Sequence, residues 1–256
     1  MFKLVKYELK GNYKFVLGNI LMVILLNLLL MTRKGIWGTE IIIVLSAIIF
    51  ITSAVIIFLE GIKLMSRYMK SDEGYLLLTL PQKGHSILTS RLITALIEIA
   101  FVSSIGFAFL WMNISSIDFI RENFMRGMDA KVILNGLVGS AANIILMLTL
   151  IYFSVVISKV AFKNKKIGGV GAFLIFLVTS FLINYIAYGV SNLFNVSINY
   201  GELYANMKIS TSLIGEQGGL VVTTAQINIP SLIYNLIIFA GLFVGTSYML
   251  ERKVDL

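Results

Sequence analysis

Asp72 and Glu73 are adjacent carboxylates directly behind Ser71, and they are followed by Gly74, Tyr75, Leu76, Leu77, Leu78, Thr79, Leu80 and Pro81. The chemistry this order suits is docking. Ser71 is placed as an N-cap, the two carboxylates would meet the positive end of a short helix dipole, and Pro81 would stop the helix. Pro81-Gln82-Lys83-Gly84 then reads as a turn, with Ser86 as a cap for whatever follows. Leu76, Leu77 and Leu80 would face a partner, because four leucines in a short polar connection have no other obvious use.

Other chemistry is sparse. A phosphate-binding loop needs Gly-x-x-x-x-Gly-Lys-[Ser/Thr], and Gly-Lys occurs nowhere in the chain. Zero cysteines exclude disulfides, thiolate metal sites and a cysteine nucleophile together. His85 is the single histidine and stands in a turn, without a His-Glu-x-x-His pattern or a carboxylate cluster nearby. The glycines of Gly168-Gly169-Val170-Gly171 open an apolar run, where close helix packing is the ordinary reading. No cofactor site and no metal site is expected, and no paired carboxylates or Ser-His arrangement within the apolar runs suggests an enzyme.

The elements that position these residues are written in the hydropathy. The 256 residues are 58% hydrophobic and 13% charged, with a mean hydropathy of +0.90. Residues 15–32, 41–62, 87–112, 134–158, 168–190 and 231–250 are each about long enough to cross a hydrocarbon core, and all are apolar on every side. A β-barrel would alternate instead. The expected fold is an all-α integral membrane protein with six transmembrane helices, forming a single domain over residues 1–256. The first run is too long for a signal peptide and ends in Met31-Thr32-Arg33-Lys34 without a small-x-small site, so no cleavage is expected.

Charge sets the orientation. Lys3, Lys6, Lys10, Lys14, Lys63, Arg67, Lys70, Lys83, Arg91, Lys159, Lys163, Lys165, Lys166, Arg252 and Lys253 fall on one side, and Arg33, Lys34, Arg121, Arg126, Lys131 and Lys208 on the other. By the positive-inside rule both termini are cytoplasmic, as is the loop over residues 64–86. The net charge of +8 thus reports membrane side and gives no reason to expect nucleic acid. Trp37 and Trp111 fit an aromatic belt at the outer interface.

Residues 1–14 read as a helix lying on the inner surface, the alternative being that the first span simply extends into the cytoplasm. Phe2, Val5, Leu9, Tyr13 and Val16 share a stripe, flanked by Lys3, Lys6, Lys10 and Lys14, whose stems can reach anionic headgroups. Residues 191–230 form the longest segment outside the spans, apolar enough through Leu193, Phe194, Leu203, Tyr204, Leu213 and Ile214 that short helices on the outer leaflet are expected. Glu98 lies about three turns into the third span. It is either protonated or bonded to Asn27, Asn143 or Asn184 on another span, or it is a polar point on a substrate path or a coupling bond between helices. Arg91, two turns earlier, is separated from it by about 10 Å of rise. Glu60 can be satisfied by Lys63, Arg67 or water.

The run from Asp72 to Pro81 resembles the first cytoplasmic loop of permease subunits of ABC-2 type exporters, in the Gram-positive bacterial group where it reads approximately Asp-Glu-Gly-Tyr-Leu-x-Leu-Thr-Leu-Pro. Leu4-Val5-Lys6-Tyr7-Glu8-Leu9-Lys10 is also similar to the opening of such chains, and Gln82-Lys83 departs from the Val-Ser that often follows the proline. The resemblance implies a multi-pass permease of the bacterial plasma membrane, with an interfacial elbow helix and a coupling helix seated in a groove of a separate P-loop ATPase. ATP and Mg would be bound by that partner. Two permeases, identical or related, would pair around the path. By analogy the exported substrate is an amphipathic or antimicrobial-type peptide, with hydrophobic antibiotics or lipids as alternatives. A non-transporting membrane anchor or sensor that holds a cytoplasmic partner through the same loop stays open beside these readings.

Overall fold

A computed structural model describes residues 2–70, 83–115, 130–161, 168–194, 196–211 and 214–252. Among the described residues six helices follow one another: α1 (Phe2–Thr32), α2 (Thr39–Lys70), α3 (Gly84–Ile114), α4 (Ala130–Ala161), α5 (Gly168–Leu193) and α6 (Ile229–Arg252). All six are long and apolar enough to cross a membrane. A helix satisfies every backbone hydrogen bond within itself, which is what a lipid-facing segment requires. Between α5 and α6 stands an antiparallel hairpin, β1 (Ser197–Thr211) and β2 (Ile214–Asn228).

The boundaries have local causes. After α1 the chain reverses at Gly35, whose φ of +99° suits glycine, while the Arg33 carbonyl accepts from the amides of Ile36 and Trp37. At the start of α6 the Asn228 side chain accepts from the Ser231 amide at 3.0 Å, and Pro230 occupies the first turn, where its missing N–H costs nothing. α3 begins at Gly84 behind Lys83, without a side-chain cap, so the capping role expected of Ser86 is not what starts it. Ser86 already lies inside the first turn, its amide donating to the Lys83 carbonyl.

α3 is the central helix, packed against α1, α2, α4 and α6. Its buried residues Leu88, Leu92, Ala95, Ile99 and Val102 recur every three or four positions and meet Ile57, Leu64 and Met65 of α2 and Leu148, Tyr152 and Val156 of α4. Small residues let the backbones close up. A Cβ on Gly61 would stand 3.3 Å from the Ala95 Cβ, and one on Gly84 would run into the Ser247 carbonyl of α6. These contacts put the starts of α1, α3 and α5 and the ends of α2, α4 and α6 at one end of the bundle.

Two expectations are corrected. The interfacial helix over residues 1–14 is not a separate element, since residues 2–32 form one continuous helix. Its inward face is turned from the apolar stripe toward Glu8 and Asn12, so that Tyr13 is 48% exposed while Asn12 is buried at 4%. Lys3, Lys6, Lys10 and Lys14 are all exposed. The helices expected over residues 191–230 are replaced by the hairpin. Leu203, Ala205, Met207 and Ile209 alternate with more polar neighbours, and Val221-Val222-Thr223-Thr224 is a β-branched run, both of which favour strands.

Candidate functional site

α1 and α3 run parallel from the end that carries the termini, and at that end they are joined through charge. Arg91 Nε of α3 stands 3.0 Å from Glu8 Oε1 of α1, each side chain 8% exposed. The contact is ionic in character, because the Nε–H is not aimed along a hydrogen-bond direction to that oxygen. Thr94, one turn on in α3, donates to Glu8 Oε2 at 3.0 Å, and Ser90 also lies against the carboxylate. Arg91 Nη1 reaches across to α2 and donates to the Leu64 carbonyl at 3.4 Å. Three helices therefore meet at one guanidinium.

The fourth joins one turn deeper. Tyr152 of α4 is fully buried, and its hydroxyl donates to the Gly61 carbonyl of α2 at 2.8 Å. That hydroxyl lies within electrostatic reach of Arg91, Glu8 and Glu98. Glu98 is 2% exposed, so the deep carboxylate expected from the sequence belongs to the same polar region. Glu60, also buried, pairs with Lys63 at 3.1 Å as expected, although Lys63 itself is mostly exposed and that pair is correspondingly weak.

The asparagines proposed for Glu98 lie elsewhere. Asn27 is nineteen residues beyond Glu8 and Glu98 only seven beyond Arg91, a difference of twelve, or about 18 Å along parallel helices. Asn27 is engaged instead with α2, accepting from Ser46 Oγ at 2.8 Å and donating to the Val23 carbonyl at 2.9 Å. Asn143 is exposed, and Asn184, also exposed, bonds the Ser180 carbonyl in its own helix. Arg91, counted from the sequence as a loop charge, is 7% exposed and inside the bundle. Asp72, Glu73, Gly74, Tyr75, Leu76, Leu77, Leu80 and Pro81 lie outside the described residues.

Sequence reading missed Glu8, Asn12, Asn19, Arg91, Thr94 and Tyr152 as members of one inward polar system. A signal was present. Glu8, Asn12 and Asn19 fall within about 40° of one another at 100° per residue, on the same side as Val5, Val16 and Val23 and opposite the four lysines. Asn19 donates to the Ser53 carbonyl at 3.3 Å, a further tie between α1 and α2.

Chemically the arrangement is a fastening. The guanidinium holds the Glu8 carboxylate by charge, and the Thr94 hydroxyl holds it by a hydrogen bond. No family model matches the chain, and no curated protein or solved structure shows significant similarity to it.

Proposed function

We propose that this chain is the permease subunit of an ATP-driven exporter, with the segment over residues 71–82 docking a separate ATPase. The observation that supports it most is the joining of α1, α2 and α3 at the base of that segment. Leu64 lies six residues before the end of α2, and Arg91 seven residues after the start of α3. A force applied between those helices would reach both directly and pass to α1 through Glu8, moving three spans as a rigid body. The reading needs no nucleotide site in this chain, in keeping with the absence of Gly-Lys. ATP and Mg would belong to the partner, and a second permease would complete the path. Only 6% of the most apolar window of α5 is buried, so an apolar face is available for a second copy or for lipid. The substrate proposed is an amphipathic peptide.

The test is copurification of tagged chain in mild detergent, with every stoichiometric partner identified and the complex assayed for ATP hydrolysis. Wild type is expected to retain a P-loop ATPase at equal stoichiometry, and Leu76→Asp with Leu80→Asp is expected to release it or to leave hydrolysis uncoupled from export. A double variant that keeps both the partner and full transport removes the docking role.

A further inference from the structure

α2 and α5 both pack on α4 yet hardly touch each other, and between them lies a groove with a cavity of about 450 Å³. That volume is within the range of sites that hold small organic ligands, about 300–1,000 Å³. Its floor runs along α4 from Met147 to Lys159, twelve residues or about 18 Å. This is a little more than half of a hydrocarbon core of about 30 Å, the depth of one leaflet. The leaflet is the one at the end carrying both termini, because the lining comes from the late part of α2, the late part of α4 and the first turns of α5.

The walls are apolar, with Ile62 of α2 facing Phe173 of α5, and Ala172 keeps the space open where a larger side chain would fill it. Ser66 and Lys159 stand at the terminal end, while the Ser154 hydroxyl in the floor donates to the Leu150 carbonyl of its own helix. Among the described residues no carboxylate pairs with Lys159. Lys163, Lys165 and Lys166 follow it in the sequence. An apolar slot one leaflet deep, closed by a cation at the headgroup level, is complementary to one acyl chain beneath a negative headgroup.

We infer that this groove binds an anionic phospholipid, its acyl chain between α2 and α5 and its phosphate at Lys159. The inference does not rest on the exporter reading, and its assay contains no ATPase. The chain is reconstituted in phosphatidylcholine nanodiscs containing a minority of phosphatidylglycerol with a spin-labelled acyl chain, and the immobilised fraction is measured by electron spin resonance. Labelled phosphatidylcholine is measured in parallel. Wild type should immobilise phosphatidylglycerol preferentially. Lys159→Gln should reduce that preference about fivefold, the weight of one lysine near a membrane surface, and Lys159→Arg should keep it. Ala172→Phe should remove the groove-bound component for both lipids. Should Ala172→Phe fail to give a monodisperse protein, the Gln and Arg pair still decides. Equal immobilisation of the two lipids by wild type overturns the proposal, as does a preference that Lys159→Gln leaves intact. Stronger retention of a spin-labelled alkyl-trimethylammonium than of phosphatidylglycerol also overturns it, giving the groove to a cationic amphipath.

Discussion

Glu8 and Arg91 show how a single contact can govern a helical membrane protein. Each side chain is 8% exposed, and each compensates the other's lost solvation, with Thr94 and the Leu64 carbonyl as further partners. Removing one member of such a pair leaves a buried charge, at about 3–5 kcal/mol, whereas replacing both by apolar groups of similar volume is often close to neutral. Glu8→Ala and Arg91→Ala are therefore each expected to lower the unfolding temperature in detergent substantially. Glu8→Met combined with Arg91→Met is expected to be more stable than either single alanine variant. If the proposed exporter reading holds, the same double variant should nevertheless lose export, because the ion pair no longer fastens α1 to α3. Thermal unfolding of the four proteins side by side checks the energetic part, and singles that unfold with wild type would mean that the pair is solvated. Full transport by a stable double variant would mean that the fastening carries no movement.

At the scale of elements, glycine decides how closely helices approach. Gly84 abuts the Ser247 carbonyl, a backbone atom that cannot rotate away, so Gly84→Ala must push the start of α3 from α6. The expected cost is about 1–3 kcal/mol, as for overpacking elsewhere. Gly18→Ala in α1 meets nothing within 4 Å and removes the conformational cost of glycine in a helix, so it should be neutral or stabilising by up to about 1 kcal/mol. The unfolding midpoint of Gly84→Ala should fall below wild type and that of Gly18→Ala should not, and equal shifts would remove the close approach at Gly84. The elements themselves were legible in the sequence to different degrees. All six spans were, because a membrane demands long runs without charge, and residues 15–32 or 231–250 can hardly be anything else. The hairpin was not, because the period of two around Leu203 is short and lies within a segment whose overall apolarity equally suits helices. The polar system was half legible. Glu98 stands out within an apolar run, while Glu8 stands among lysines and Arg91 near a basic loop, where both read as solvated charges. Only the parallel approach of α1 and α3 turns them toward one another.

For the whole molecule, the structure fixes which connections share an end, and charge supplies the direction. When the loops are assigned by the order of the spans, fifteen of the 21 Lys and Arg residues, the buried Arg91 included, fall on the side of Lys3, Lys6, Lys10 and Lys159. Positive charge is retained on the cytoplasmic side during insertion, so that end should face the cytoplasm. The absence of cysteine makes the chain suited to a direct test, since any single introduced thiol is the only one present. Lys10→Cys and Glu251→Cys replace exposed residues at the terminal end, and Ile36→Cys replaces a residue 73% exposed in the α1–α2 turn at the other. In intact cells a membrane-impermeant maleimide should label Ile36→Cys alone, and all three after permeabilisation. Labelling of Lys10→Cys and Glu251→Cys from outside would invert the molecule. Segment 71–82 would then lie where no ATPase could reach it, and the lipid groove would open to the outer leaflet. The first consequence would end the exporter reading, whereas the second would leave the groove intact and change only which leaflet supplies its lipid.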